Sequence, residues 1–312
     1  MKGPTMYIPM PTPALDHAAR HLRRQGVQFT ETAMEAEYLL YSAPTKLDML
    51  GDCTMDQTVI GGNLDFLSES VERLDLLKDP YYLCANAAIT AEAALALVLR
   101  GLRCEITRAN ILILGWGRIG KCLTHQLHHL NANVTVYARK HEDRALLRAL
   151  GYRYATREEL GRSLSRYHCI VNTIPAPVLT EAEPTRPGCL KLELASGIWL
   201  PGEDVTLAHG LPGKYKPEAS GALIAKTIAK GLNADVKRGE KVAIIGKNGT
   251  GKTTILKIIN GLLPADDGEI RPGAKVYIAY YDQEHQVLHS EKTLFDELQD
   301  TYPYMDNTEV RN

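Results

Sequence analysis

Over the first 86 positions, short apolar runs alternate with a stretch of helical period. Three apolar runs predict strands, at residues 5–9, 27–30 and 36–42. Between the first two, apolar residues recur at helical spacing and stop at Gly26, which predicts a helix that ends there. The order of elements predicts a small N-terminal α/β domain over residues 1–86, which we place on the substrate side.

The alternation of strands and helices is clearest in the middle of the chain. An alanine- and leucine-rich run predicts a helix over residues 87–100. Four later apolar runs predict strands buried on both faces, at residues 109–115, 133–138, 168–174 and 189–195. Helical spacing lies between the first three of these strands. The pattern predicts an α/β fold with a Rossmann-type doubly wound parallel sheet over residues 87–228.

The pattern changes near Lys230. An apolar run at residues 241–246 predicts a strand, and helical spacing over 253–263 follows a glycine-rich loop. We therefore predict a third segment, a partial P-loop NTPase over residues 231–312.

Composition narrows the class of protein. The chain has 312 residues, 36 Lys and Arg against 37 Asp and Glu, and a formal net charge of −1. No global positive field favours nucleic acid or an anionic membrane, so we expect neither as a partner. The six cysteines form no CxxC pair, which predicts free thiols and a cytoplasmic protein. The most apolar stretch, residues 81–99, contains Asn, Thr and Glu and favours a buried helix over a membrane span.

A glycine motif carries the first chemistry. Its six residues follow a predicted strand and precede a predicted helix: Gly115, Trp116, Gly117, Arg118, Ile119 and Gly120. In this GxGxxG setting the glycines allow a tight turn, approach of a pyrophosphate, and close packing of helix on strand. The helix start offers free N–H groups to the phosphates, and we expect Trp116 and Arg118 to cover the cofactor.

The second strand ends at Arg139 and Lys140. Sites for NAD usually carry Asp or Glu there, whereas cationic residues suit a 2′-phosphate. The sequence therefore predicts NADP as cofactor, with a solvated surface charge as the alternative for Arg139.

Two later loops add candidate residues. The loop after the third strand is predicted to contact the cofactor, through Asn172, Thr173, Ile174 and Pro175, unless these residues only form a turn. A second loop, residues 209–215, brings together His209, Lys214 and Tyr215. We take His209 and Lys214 as candidate catalytic residues, with a structural role as the alternative for His209.

Five stretches together resemble the A subunit of dipicolinate synthase, a family of endospore-forming bacteria. They lie at residues 86–95, 111–120, 171–180, 194–196 and 210–221. The resemblance covers roughly residues 1–228 and implies two α/β domains around a cleft. It implies NADP-linked oxidation of a dihydrodipicolinate-type dicarboxylate to dipicolinate during sporulation, and it implies a partner, the B subunit. Glu193 stands where that family tends to have Asp. A homo-oligomer is left open.

A second nucleotide motif lies in the C-terminal segment. The sequence from Gly246 to Thr254 fits GxxxxGK[ST] between a predicted strand and helix. Its candidate ATP-binding residues are Gly246, Asn248, Gly249, Thr250, Gly251, Lys252, Thr253 and Thr254. In such a loop backbone N–H groups surround the phosphates, Lys252 reaches the β and γ oxygens, and Thr253 binds Mg²⁺.

Residues 231–312 resemble the beginning of an ATP-binding-cassette domain of the ABC-F type. The resemblance implies that Gln283 is the Q-loop residue. No LSGG-type signature, Walker B strand or switch histidine follows in the sequence, so we expect ATP and Mg²⁺ binding without useful hydrolysis.

Three hypotheses remain open on the sequence alone. The first is an NADP-dependent oxidoreductase of the dipicolinate synthase type. The second is an ATP-binding, ABC-F-like fragment, and the third is a non-catalytic dinucleotide-binding protein. The sequence also leaves open whether the joined families form a natural fusion, an artefact or a chimera.

Overall fold

The N-terminal sheet has five parallel strands, each short and followed by a turn or helix. In the computed structural model, residues 4–50, 57–232 and 252–264 are described, with isolated positions 270, 278, 293 and 296. The strands are β1 (Thr5–Tyr7), β2 (Gln28–Phe29), β3 (Tyr38–Leu40), β4 (Thr58–Gly61) and β5 (Arg73–Asp75), in the spatial order β2-β1-β3-β4-β5. The first three confirm the predicted strands.

Helix α1 (Pro13–Arg24) covers this sheet. It begins where Thr12 caps it, since the Thr12 hydroxyl accepts a hydrogen bond from the Leu15 N–H at 3.3 Å and proline occupies the first turn. Its buried side chains, Leu15, Ala18 and Leu22 among them, join Met6, Leu40 and Ile60 in the N-terminal core. The apolar stripe of the sequence is therefore the face that packs on the strands.

Helix α2 (Pro80–Gly101) runs from one core into the next. Tyr82 near its start is buried in the N-terminal core, while Ala91 and Val98 are buried in the core of the second sheet. Among the described helices α2 alone is long and apolar enough to span a membrane. Its burial in two cores accounts for that composition. The predicted boundary at residue 86 falls within this continuous helix.

The second sheet has six parallel strands in the order β11-β10-β9-β6-β7-β8. The strands are β6 (Asn110–Leu114), β7 (Asn133–Tyr137), β8 (Arg153–Ala155), β9 (Cys169–Asn172), β10 (Leu190–Glu193) and β11 (Val205–Leu207). In the pairing, Ile113 of β6 lies between Val136 of β7 and Val171 of β9. Sequential strands depart from β6 in both directions, which is the doubly wound order, and the predicted fold class is confirmed.

Helices connect the strands of this sheet. They are α3 (Arg118–His129), α4 (His141–Ala149) and α5 (Arg157–Ser163), followed after β11 by α6 (Leu211–Tyr215) and α7 (Pro217–Leu232). Single-turn 3₁₀ helices lie at Ala33–Glu35, Leu47–Met49, Leu76–Lys78, Ile106–Arg108 and Leu164–Arg166.

Helix α7 returns to the N-terminal domain. Leu223, Ile224 and Ile228 are buried in the N-terminal core, and a Cβ on Gly221 would lie 2.5 Å from the carbonyl oxygen of Ala14 in α1. The two helices therefore cross at a glycine. The packing favours counting α7 with the N-terminal domain, whereas the sequence grouped it with the Rossmann domain.

The chain divides into two compact units, Lys2–Asp235 and Val236–Asn312. In the second, the structure describes α8 (Lys252–Ile259), which ends before Gly261 in the left-handed region at φ +71°. The strand predicted over residues 241–246 lies outside the described residues.

Candidate functional site

The centre of the second sheet is a topological switch point. The chain leaves β6 through α3 toward β7, and the strands on the other side of β6 begin with β9. The loops after β6 and β9 therefore turn to opposite faces and open a crevice at the carboxyl ends of the strands. The predicted motif over residues 115–120 and the predicted loop over 172–175 both lie at this crevice.

The three glycines of the motif have three different surroundings. Gly115 has φ +113°, and a Cβ there would lie 2.4 Å from Thr173 Oγ1. A Cβ on Gly120 would lie 2.2 Å from the Gly115 carbonyl oxygen, so α3 packs directly on the loop. At Gly117 nothing lies within 4 Å of the corresponding position. The first and third glycines close the turn, and the second leaves open space beside it.

That open space adjoins the start of α3. Gly117 is the N-cap residue, and no side chain caps the helix. The N–H groups of Arg118, Ile119 and Gly120 are thus free of a capping side chain at the positive end of the helix dipole. Arg118 is exposed beside them. This geometry suits a bound phosphate.

Trp116 lies elsewhere than the sequence suggested. Its side chain is only 8% exposed, belongs to the core and meets the Tyr152 ring edge-on at 5.8 Å. Its Nε1 is buried without a hydrogen-bond partner among the described residues. The expectation that Trp116 covers the cofactor is therefore wrong, because a ring packed in the core cannot also cover a ligand above it. The residue anchors the loop from below.

Two exposed cations stand at the end of β7. Arg139 and Lys140 are exposed, and Lys140 is the N-cap residue of α4. One turn into α4, the Arg144 guanidinium donates to the carbonyls of Ala138 and Arg139, at 3.1 and 2.7 Å. Sequence reasoning missed Arg144, although a basic residue in the first turn of the helix after a strand could have signalled this role. Arg144 holds the backbone and leaves the Arg139 side chain available to a ligand.

A buried carboxylate organises the neighbouring loop. Glu193, at the end of β10, is fully buried, and its Oε1 accepts from Asn172 Nδ2 at 2.8 Å and from the Ala195 N–H at 3.1 Å. Its Oε2 accepts from the N–H groups of Trp199 and Leu200, both at 3.0 Å. Four donors satisfy this carboxylate, so Glu193 fixes the loop after β10 and is not a free catalytic group.

The loop after β9 is anchored through the same residues. Asn172 Oδ1 accepts from the Ile174 N–H at 3.1 Å, and Thr173 Oγ1 donates to the Leu114 carbonyl at 2.8 Å. Thr173 thus ties this loop to β6 beside Gly115. Pro175 is exposed at the tip of the loop. The structure brings all four predicted residues to the crevice.

Ion pairs hold the outer parts of these loops. The Arg157 guanidinium of α5 forms a two-pronged pair with Glu183, whose pKa is lowered mainly by that hydrogen bond. The ammonium group of the buried Lys191 lies 2.7 Å from Asp204, and its hydrogen bond lowers the pKa of Asp204 below its ordinary value. The second pair fastens β10 to the turn that leads into β11.

His209 follows β11, at the same edge of the sheet. Its ring is partly buried, and Nε2 is buried without a hydrogen-bond partner among the described residues. Gly210, with φ +66°, then starts α6, where Lys214 is exposed. The Lys214 side chain passes 3.9 Å from the position of a Cβ on Gly210. Helix α6 contacts α1 and α2, so both candidate catalytic residues lie at the junction of the two sheets.

The predicted ATP site is only partly described. Lys252 begins α8, and Thr253 and Thr254 are exposed in its first turn. A helix starting at the lysine of GxxxxGK[ST] agrees with the predicted loop-to-helix order. The remaining candidates lie outside the described residues: Gly246, Asn248, Gly249, Thr250, Gly251 and Gln283.

Comparison with known proteins separates the same two units. The family model described as "ABC transporter" matches residues 229–310. ATP-binding protein Uup of Escherichia coli is 48% identical over 73 residues, which are 23% of this chain and 12% of Uup. Putative ATP-binding protein YdiF of Bacillus subtilis is 46% identical over 74 residues, 24% of this chain and 12% of YdiF. The chain thus spans about an eighth of the length of these curated relatives.

Solved structures match the larger unit. The A chain of dipicolinate synthase from Bacillus halodurans has a TM-score of 0.61 at 20% identity, over 74% of this chain and 98% of that one. Escherichia coli D-lactate dehydrogenase has a TM-score of 0.52 at 12% identity, over 73% of this chain and 96% of that one. At these identities the match establishes a shared fold. The chain therefore combines the fold of dinucleotide-binding oxidoreductases with a C-terminal ABC-type segment.

Proposed function

We propose that this protein is an NADP-dependent oxidoreductase that oxidises a dihydrodipicolinate-type ring to dipicolinate. The observation that carries the proposal is the open position at Gly117, at an uncapped helix start, with Arg139 and Lys140 at the end of the adjacent strand. The fold shared with the dipicolinate synthase of Bacillus halodurans supports the choice of substrate class.

The residues present fit a dinucleotide with a 2′-phosphate. The pyrophosphate would lie over Gly117 against the first-turn N–H groups of α3. The adenosine half would extend toward β7, where Arg139 and Lys140 supply charge-assisted contacts to the 2′-phosphate. The nicotinamide half would then point the other way, over the loops that follow β9, β10 and β11.

The substrate would lie beside that half, near α6. When bound, the cofactor supplies a hydride acceptor, and the ring becomes aromatic as it also gives up a proton. We assign that proton to His209, whose Nε2 has no partner among the described residues, and we assign contact with a substrate carboxylate to Lys214. The chain's own contribution is orientation of the ring against the nicotinamide.

The test is NADP⁺ reduction with freshly generated dihydrodipicolinate, with and without the B subunit of dipicolinate synthase. Lys214→Ala should lose turnover and keep NADPH binding, and His209→Asn should do the same. Arg139→Asp should shift preference toward NAD, whereas the matched change Arg148→Asp, on the exposed last turn of α4, should leave preference unchanged. NADPH binding without turnover on any dicarboxylate would favour the non-catalytic alternative.

The proposal extends to setting. A partnership with the B subunit and a role in sporulation are those of the resembled family, and a cytoplasmic location follows from the composition. Co-purification with the B subunit tests the first of these. A homo-oligomer remains an alternative that sedimentation would resolve.

The ABC-type segment supports a second candidate function, ATP binding at residues 246–254. The family match and the helix starting at Lys252 favour it. Magnesium-dependent ATP binding that Lys252→Ala abolishes would support this candidate, and its absence in the wild type would remove it.

A further inference from the structure

The last two turns of α3 carry three exposed histidines, His125, His128 and His129. None of them belongs to the dinucleotide crevice, which lies at the other end of this helix. His125 and His129 are four residues apart, so they share one face of the helix. Their ring centroids are 4.2 Å apart at an interplanar angle of 57°.

Each of these two rings has its Nδ1 engaged within the protein. His129 Nδ1 lies 2.9 Å from the carbonyl oxygen of His125. A carbonyl only accepts, so Nδ1 carries the proton and Nε2 of the neutral ring holds a free lone pair. His125 Nδ1 lies 3.2 Å from the Tyr152 hydroxyl, which can accept the same kind of bond.

This is the arrangement of metal-binding histidines. A ligating imidazole binds through one nitrogen while the other donates to a carbonyl or hydroxyl that fixes the ring. We propose that His125 and His129 form a site for a divalent late first-row metal ion such as Ni²⁺, Cu²⁺ or Zn²⁺, held through both Nε2 atoms. Metal–nitrogen bonds of about 2.0–2.1 Å require the two Nε2 atoms to lie about 3 Å apart, which rotation of two exposed, neighbouring rings can supply.

Two nitrogens leave the other coordination positions to water. Among the described residues no group of three His, Cys, Asp or Glu side chains converges on a metal position. The site is therefore an open, two-ligand site, and imidazole favours the late transition metals over Mg²⁺ or Ca²⁺.

His128 provides the matched control. It is adjacent to His129 and also exposed, yet its ring meets Tyr152 edge-on at 5.1 Å, and the His128 and His129 centroids are 6.2 Å apart. It has the same chemistry and nearly the same position along the helix, but it lies on a different face. A non-specific effect of surface histidines would involve it equally.

The experiment titrates the untagged full chain with NiCl₂ by calorimetry, because its ten histidines make a subtractive design necessary. His125→Ala and His129→Ala should each weaken the tightest site at least about tenfold, and His128→Ala should leave it unchanged. Tyr152→Phe keeps the ring and removes only the hydroxyl, and it should weaken binding by about tenfold or more as an outer-shell change.

A measurement on the wild type avoids dependence on any variant. In histidine-ring NMR spectra, substoichiometric Ni²⁺ should broaden the signals of His125 and His129 before all others. Equal loss in His128→Ala, retained binding in the His125→Ala/His129→Ala double variant, or first broadening at another histidine would overturn the proposal. None of these readouts depends on NADP or turnover, so failure here is separate from failure of the proposed function.

Discussion

At the scale of single residues, three glycines in one motif differ in what a side chain would meet. The position at Gly117 is open, whereas the position at Gly120 is filled by the carbonyl oxygen of Gly115. A motif of identical letters thus contains one residue needed for the ligand and two needed for the turn.

We expect Gly117→Ala to leave the free energy of unfolding within about 0.5 kcal/mol of wild type while weakening NADPH binding at least about tenfold, because the methyl group enters the pyrophosphate position. Gly120→Ala should cost about 1–3 kcal/mol, since the helix must move off the loop. Urea denaturation and NADPH fluorescence titration measure the two effects. Unchanged NADPH affinity in Gly117→Ala would place the phosphates elsewhere.

The Lys191–Asp204 pair gives a prediction with a pH window. Asp204→Asn leaves a buried ammonium with only the Pro201 carbonyl, at 3.3 Å, and should cost on the order of 1 kcal/mol, because the Asp204 side chain is 61% exposed and screened. The folded pKa of Asp204 lies below its ordinary 3.8, so its contribution is complete above that pH and is lost as pH falls through the folded pKa.

Denaturation across pH checks this. The difference between wild type and Asp204→Asn should be constant from about pH 5 to 8 and should shrink below about pH 3.8. A difference that instead grows on acidification would show that the pair does not carry the effect.

The candidate site was predictable where chemistry is local in sequence. The glycine motif and Arg139 stand at fixed offsets from a strand end, so their positions follow from the pattern alone. The Glu193 network does not, because Glu193 and Asn172 are 21 residues apart and meet only across paired strands. The inward orientation of Trp116 also depends on Tyr152, which the chain brings close only after β7 and α4.

At the scale of elements, long apolar runs were predictable and short polar ones were not. Strands β6, β7, β9 and β10 were predicted because they are continuous apolar runs. Strands β5, β8 and β11, with three residues each, were not predicted, and they include Arg73, Arg153 and Thr206. Such edge strands are set by their neighbours more than by their own residues.

The crossing of α7 and α1 depends on Gly221. Gly221→Ala should lower the free energy of unfolding by about 1–3 kcal/mol, because its Cβ would meet the Ala14 carbonyl oxygen and the Ala18 nitrogen at 2.5 and 2.7 Å. Gly213→Ala is the matched control in α6, since its nearest neighbour is the Ala14 methyl group at 4.0 Å. Chemical denaturation of both variants distinguishes helix crossing from a general effect of removing glycine.

At the scale of the whole molecule, the chain contains two nucleotide motifs in separate compact units. We expect Lys252→Ala to abolish ATP binding and leave NADPH affinity unchanged, and Gly117→Ala to do the reverse. Paired titrations of both variants measure this. A change of NADPH affinity in Lys252→Ala would reveal coupling between the units.

The path of α7 has a consequence during biosynthesis. About 130 residues separate the end of the α2 segment in the N-terminal core, near Ile89, from Pro217, where α7 begins. At roughly 5–20 residues per second, the ribosome needs on the order of 10 s to deliver them. For that time the nascent N-terminal sheet lacks Leu223, Ile224 and Ile228, while the whole Rossmann domain emerges and can fold first. The N-terminal domain, although made first, is therefore the last part of this unit to complete its core.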